Sequence, residues 1–358
     1  MSRPLAIAFL ACNKNPTRFR EDPSFTYRCE NLGLALAAQG HQVTWSHLTA
    51  PGWTRRPDVV VFHRPLLSWT LAWWWLRLRR QGVRLVADVD DLVFDPALAA
   101  HSPAVLNGQL PIQALRRRFW RHREALRHFD LITASTEPLA AAAARLPRRP
   151  AGAKVHWLPN AVYRGWRTLP AEPATDPLAP VLRYLPGTPS HDRDFALIAP
   201  VLTEVLRVRP QARLEVVGPL AFALDLPARQ IQHQARRPFA DYHQVVRAPG
   251  INLAPLEATP FTACKSALKV IESAFWQVPT VCSPLQDALR FVGAGACVAE
   301  TPADWTRWLS LLLDDGPTRL HLTASLRERV LALADIDQLA SDWCETVRAW
   351  PVPGRRRA

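Results

Sequence analysis

The sequence predicts an α/β protein made of two doubly wound, parallel-sheet halves. Three observations carry this. Short apolar runs alternate with helical segments along most of the chain, as strands joined by helical crossovers do. The stretch TLPAEPATDPLAP (168–180) has four prolines and no hydrophobic period, and divides the alternation in two. The length of 358 residues exceeds what one core usually spans. The expected organisation is a first domain over 1–168, a linker over 169–180 and a second domain over 181–335. A terminal helix over 336–350 is expected to pack back on the first domain, followed by a basic tail over 351–358 that reads as disordered.

In the first half, strands are expected at 5–10, 42–45, 59–62, 84–87, 131–134 and 154–158. The run LAIAFL is continuously apolar, which suits a strand covered on both faces. Helices are expected at 25–39, 69–81, 113–128 and 137–145; the first two end at Gly40 and Gly82, residues that stop helices well. In the second half, strands are expected at 181–184, 212–217, 251–254, 280–282 and 296–298. Helices are expected at 193–207, 239–246, 266–276, 302–313, 317–333 and 336–350. Two such halves would face a central cleft, with ligands at the carboxyl ends of the strands.

Hydrophobic content of 48% and charged content of 21% describe a folded globular chain. The excess of 44 basic over 31 acidic residues, net +13, favours anionic partners: nucleic acid, anionic lipid or phosphate-bearing substrates. Six cysteines without a CxxC pair argue against zinc and a disulfide framework, and fit a reducing cytoplasm. The amino terminus lacks the pattern of a signal peptide, and no apolar run reaches the ~18–20 residues of a membrane span. PLLSWTLAWWWL (65–76), followed by Arg77, Arg79 and Arg80, suits either a membrane interface or a buried helix. The basic helix QALRRRFWRHREALRHFD (113–130) reads as a docking surface for anionic lipid or as an ordinary surface helix.

The chemistry concentrates in INLAPLEATPFTACKSALKVIESAFWQVPTVCSP (251–284). It reads as strand, loop, helix and strand, and a helix amino terminus after a parallel strand binds anions. Lys265 supplies a cation and Ser266 a hydroxyl, with Phe261 in the same loop; Lys269 lies one turn further on. Glu272 sits on an apolar helix face and needs a partner, either vicinal sugar hydroxyls or an internal salt bridge. In GTPSHDRDF, Gly187 and Thr188 precede His191, Asp192 and Arg193, so the loop amides either cradle phosphate or are capped by Ser190 or Asp192. DVDD (88–91) offers Asp90 and Asp91 as base, metal ligands or turn caps. Asn160 is a hinge cap or a cleft residue. Arg28, with Lys14, Arg18 and Arg20, makes a basic loop suited to an anionic acceptor or to solvent.

Four passages, in order, carry a resemblance: YRCENLGLALAAQGHQVTW; DLITASTEPLA followed by VHWLPNAV; LRYLPGTPSHDRDFALIAPVLTEVLRVRPQARLEVVGP; and the 251–284 passage. Together they resemble the GT-B glycosyltransferases, and within them retaining family 4. The resemblance implies transfer of a sugar from a nucleoside diphosphate to an acceptor hydroxyl with retention. It implies no metal and no cofactor, the nucleotide sugar being a co-substrate. The nucleotide would lie on the second domain and the acceptor on the first. On that basis Arg193, Lys265, Asp90 and Asp91 are the catalytic candidates. Glu272, Ser266, Gly187, Thr188, Cys264 and Phe261 are the donor-binding candidates, and Arg28 and Asn160 lie on the acceptor side. Glu272 takes the ribose position, whereas Cys264 replaces the family's first glutamate. Thr188 stands where the family often has Arg, and Arg193 where it has Lys. The implied partners are a nucleotide sugar, a growing surface polysaccharide or lipid-linked glycan, and an anionic membrane surface. The implied location is cytoplasmic, on the inner face of the membrane. Nucleic acid is disfavoured because no stacking-rich module is present. A non-catalytic subunit, a sugar-nucleotide epimerase and a basic nucleic-acid-binding protein are the rival readings.

Overall fold

A computed structural model describes residues 3–12, 15–170 and 176–350. Lys14, the middle of the expected linker (171–175) and the expected tail (351–358) lie outside the described residues. The chain divides into two compact units: Met1–Ala99, Ile112–Arg167 and Asp335–Ala358 form the first, and Ala100–Pro111 with Thr168–Ala334 the second.

The sheet of unit 1 contains β1 (Ala6–Ala11), β2 (Gln42–His47), β3 (Val59–His63), β4 (Arg84–Val89), β5 (Leu131–Ala134) and β6 (Lys154–Trp157). Their order is β2-β1-β3-β4-β5-β6 and every pairing is parallel. Burial follows position. β1 and β3 are buried along their whole length, whereas the edge strands β2 and β6 expose part of theirs. This is why the inner strands read as unbroken apolar runs.

The helices of unit 1 are α1 (Asn31–Ala38), α2 (Trp69–Arg80), α3 (Ile112–Leu126) and α4 (Glu137–Ala144). Right-handed crossovers along β3-β4-β5-β6 put α2, α3 and α4 on one sheet face, and α1 on the other. α2 starts where Ser68 accepts from the Leu71 amide at 3.1 Å, and stops at Gly82, whose φ is 70°. The expected helix over 25–39 is irregular: a π-turn, Thr26–Glu30, precedes α1 and carries Arg28 into the interior.

In unit 2 the strands are β7 (Val181–Tyr184), β8 (Arg213–Val217), β9 (Ile231–Gln234), β10 (Ile251–Ala254), β11 (Thr280–Cys282) and β12 (Ala296–Val298). Their order, β12-β11-β10-β7-β8-β9, is that of a dinucleotide-binding doubly wound sheet. The winding reverses between the paired strands β7 and β10, so the connections leaving their carboxyl ends run in opposite directions. The longer helices are α5 (Ala199–Arg207), α6 (Phe239–Val246), α7 (Leu268–Phe275), α8 (Pro302–Asp314), α9 (Gly316–Thr323) and α10 (Leu326–Leu333). Strand β9 is absent from the sequence reading because IQHQ is a half-exposed edge strand with no apolar run. The single helix expected over 317–333 is broken between Thr323 and Leu326.

The last helix, α11 (Ile336–Ala349), belongs to unit 1. Trp343 is fully buried and stacks on Phe9 of β1 at 6.5 Å, and Gln39 beyond α1 donates to the Asp337 carbonyl. Arg164 and Arg167 pair with Asp335 and Asp337 at its amino terminus, where acidic groups suit the helix dipole. Residues 100–111, expected with the first half, fall in unit 2. Asn107 explains this locally: its amide donates to the Ser190 carbonyl and its oxygen accepts from the Arg193 amide.

One glycine is demanded by the turn after β8. Gly218 has φ 137°, and a Cβ there would lie 2.2 Å from the Pro186 carbonyl oxygen. Gly218→Ala is therefore expected to cost about 2–3 kcal/mol. A urea unfolding midpoint equal to that of the parent would contradict this close approach.

Candidate functional site

The candidate site of unit 2 forms where the winding reverses at β7 and β10. Helix α7 follows β10 through a loop and buries Val270, Ile271, Ala274 and Phe275 against the sheet. That packing fixes which side chains remain at the carboxyl ends of the strands. Glu272, only 5% exposed, accepts from the Tyr242 phenol of α6 at 3.1 Å. The partner sought for this carboxylate in the sequence is thus in part a neutral hydroxyl. Burial, then the carboxylate, pushes the Tyr242 phenol well above its ordinary range, so it stays a donor.

Lys269 is half-buried. Its ammonium donates to the Leu185 carbonyl at 2.9 Å and lies 5.0 Å from the Tyr184 ring centroid. Burial lowers it to about 8, despite Glu272 and Asp194 nearby, and Lys265 adds to the lowering. Lys265 and Ser266 are half-buried in the loop before α7. The Lys265 ammonium sits 5.7 Å from the centroid of Phe261, whose ring is buried. Cys264 is buried at the end of the turn Thr262–Cys264 and does not present a solvated thiol.

The loop after β7 behaves differently from expectation at Arg193. That side chain is half exposed and its guanidinium makes two bonds to Glu257, of 2.9 and 2.5 Å. It is therefore already ion-paired at the surface. Asp194 instead turns inward, receiving the Glu257 amide at 2.8 Å while its other oxygen lies 2.8 Å from His191 Nδ1. Burial lowers the His191 imidazole, with Lys269 and Lys265 contributing. Gly187 and Thr188 are exposed and line a cavity of about 670 Å³ with Gly218, His233, Gln234 and Arg236. His233 and Arg236 are not singled out by the sequence because the first lies in, and the second just after, the unrecognised strand β9. Tyr242 was missed because thirty positions separate it from Glu272.

Unit 1 has its own polar cluster at the carboxyl ends of β3 and β4. Arg28 is buried, not solvated as a loop cation. It binds both oxygens of Asp88, at 3.2 and 2.7 Å, the Leu158 carbonyl at 2.6 Å and Asn160 Oδ1 at 3.1 Å. Arg28 and Asn160 thus hold the interior together and are withdrawn from an incoming anion. Burial alone would raise Asp88, but Arg28 and His63 outweigh it and keep the carboxyl below its ordinary range. Asp90 and Asp91 both bind the Arg64 guanidinium, and Asp90 also accepts from Ser24 Oγ at 2.5 Å. Arg64 has φ 48°, a backbone conformation uncommon outside glycine, at the end of β3.

Ser24, His63 and Asp88 have the connectivity of a hydrolytic triad: His63 Nε2 lies 2.9 Å from Ser24 Oγ and Nδ1 lies 3.0 Å from Asp88. Ser24 has one proton and gives it to Asp90, so His63 has none to withdraw. Cys29, His63 and Asp88 also bring ligand-type atoms within 4.8 Å of one another. Arg28 already occupies Asp88, and burial pushes the Cys29 thiol well up, so this cluster suits a cation poorly.

No protein-family model matches the sequence, and no curated protein matches it. Solved structures do match in fold. Anabaena HepE superposes with a TM-score of 0.64 over 97% of this chain and 100% of its own, at 11% identity. WaaG, a glycosyltransferase of lipopolysaccharide biosynthesis, gives 0.59 over 96% and 100%, at 14% identity. The sucrose-phosphate synthase of Thermosynechococcus elongatus gives 0.60 over 96% and 98%, at 16% identity. The fold is GT-B.

The buried Arg28–Asp88 pair yields a prediction. Asp88 titrates lower folded than unfolded, so its contribution is present above about pH 4 and is lost as pH falls through the folded value. Asp88→Asn should lower stability at neutral pH by about 3–5 kcal/mol, by leaving a buried guanidinium unpaired. The variant should also lose less further stability than the parent between about pH 4 and pH 2. Parallel acid sensitivity of the two proteins in chemical denaturation would contradict this assignment.

Proposed function

We propose that this chain is a glycosyltransferase that moves a sugar from a nucleoside diphosphate to an acceptor hydroxyl with retention of configuration. The observation that carries the reading is the reversal of winding at β7 and β10. A buried carboxylate, Glu272, is oriented by Tyr242, with Lys265 in the adjoining loop. Glu272 is the candidate partner for the ribose hydroxyls. The 670 Å³ cavity along β7, β8 and β9 has room for a nucleobase. The departing diphosphate accumulates negative charge, and lysine and the amino terminus of α7 would stabilise it without a metal. HepE has been solved with UDP and with UDP and glucose, and the E. coli trehalose-6-phosphate protein with UDP-2-fluoro glucose, which makes a uridine donor the first to test.

Unit 1 is proposed to serve the acceptor, with Asp90 and Asp91 the carboxylates nearest its carboxyl edge. Both are ion-paired to Arg64, which holds them oriented. The acceptor is proposed to be a surface polysaccharide or lipid-linked glycan, worked on from the cytoplasmic face of a membrane. No described helix is long and apolar enough to cross a membrane. Support for a peripheral position comes from the shared face of α2 and α3. Trp69 is 93% exposed, and Trp73, Leu76 and Trp120 are also exposed. The two helices carry three and five arginines against one glutamate. Exposed tryptophans among arginines match the headgroup layer of an anionic bilayer.

Two measurements test this reading. Glu272→Ala should weaken nucleoside diphosphate binding roughly ten- to hundredfold, the loss expected for hydrogen bonds to a carboxylate. Unchanged affinity, or a product with inverted anomeric configuration, would overturn the site or the stereochemistry. The second is flotation with vesicles containing anionic phospholipid. The parent should bind, and the double variant Trp69→Ser, Trp73→Ser should bind at least about tenfold less at the same unfolding midpoint. Equal flotation would remove the membrane from the proposal.

A further inference from the structure

Unit 2 treats two of its cations, Arg193 and Lys269, in opposite ways. Arg193 stands half exposed with its charge balanced by Glu257. Lys269 is half-buried at the carboxyl end of β7. Among the described residues its ammonium makes one hydrogen bond, to the Leu185 carbonyl, and rests over the Tyr184 ring. An ammonium has three donors, so two remain for a ligand. The nearby carboxylates are engaged elsewhere: Asp194 by His191 and the Glu257 amide, and Glu272 by Tyr242. The cation is therefore held, partly stripped of water, where the winding of a doubly wound sheet reverses and anionic ligands bind.

We infer that Lys269, assisted by Lys265, is the anion centre that receives the diphosphate of the donor, and that Arg193 is not a phosphate ligand. The inference rests on the nucleotide reading above and names the group that grips its charge. The cation thus stands on the helix after β10 and not in the loop after β7. Lys269 acts through charge and through its two remaining donors. A bound diphosphate restores the neighbouring charge that burial has cost the ammonium.

This geometry makes binding depend on pH. The ionisable groups facing Lys269 are Glu272 on its own helix, Lys265 in the preceding loop, and His191 and Asp194 from the loop after β7. Tyr184 faces it from β7, and Tyr242 of α6 acts through Glu272. Both tyrosines are pushed well above their ordinary range by burial and adjacent carboxylates. Lys269, lowered to about 8 in the free protein, is charged below that pH and loses its proton above it. A bound anion raises it again, so binding takes up a proton and affinity falls as pH rises above about 8.

The test is calorimetric titration of the full chain with UDP, ADP, GDP and inorganic pyrophosphate at about pH 7 and about pH 9. At the lower pH, Lys269→Met should weaken pyrophosphate and the best nucleotide at least about tenfold, whereas Arg193→Ala should stay within about twofold. The parent should bind severalfold more weakly at the higher pH, and Lys269→Arg, which stays charged, should abolish that fall. Lys269→Arg keeps the experiment decisive if the methionine variant does not fold. Nucleotide binding that is insensitive to Lys269, or a pH dependence that survives in Lys269→Arg, overturns the inference and leaves the nucleotide reading standing. Pyrophosphate binding that needs Lys269, without binding of any nucleoside diphosphate, upholds the anion centre and sinks the nucleotide reading. Failure of the parent to bind either sinks both.

Discussion

A parallel strand must be covered on both faces, and that requirement places every candidate functional group of this chain. Covering is done by helices that return each strand to the same edge, so the carboxyl ends and their loops collect together. In unit 2 the winding reverses between β7 and β10. Helix α7 packs its apolar side there, which leaves Lys269 against Leu185 at the end of β7 and Glu272 against Tyr242. Leu185 and Tyr184 at the end of β7 then hold the ammonium. The chemistry is a consequence of the packing.

The two units handle buried charge in contrasting ways. In unit 1, Arg28, Asp88, His63, Ser24, Asp90 and Arg64 form a chain in which the donors named are met by acceptors. Such a network orients Asp90 and Asp91 and offers little to a new ion, because its charges are already compensated. In unit 2 the same kind of edge keeps a cation with one hydrogen bond among the described residues. A saturated network positions groups, whereas an under-partnered cation binds them. The difference separates an edge whose charges are compensated from one that keeps a cation with few partners.

Much of the fold was legible because its strands are buried on both faces. Continuous apolar runs such as β1 and β3 announce themselves, and Gly40 and Gly82 mark where helices end. Strand β9 escaped because a polar edge strand has no such signal, and with it went His233 and Arg236 of the cavity. Glu272 was legible because a carboxylate on an apolar helix face demands a partner. The partners of Arg28 and Arg193 are not legible in the sequence, for one shared reason. A guanidinium looks the same in sequence whether it is solvated, paired with a surface Glu257 or enclosed around Asp88.

The sequence by itself determined the alternation of strand and helix, the division into two α/β halves, and the residue types available at the carboxyl end of β10. Local periodicity and turn chemistry act over a few residues, and those features need nothing longer. Only the tertiary structure decided which charges are spent and which remain. Arg193 meets Glu257 across sixty-four positions, Arg28 meets Asp88 across sixty, and Lys269 reaches Leu185 across eighty-four. Partnership at such separations is set by strand order, and strand order is a property of the assembled sheet.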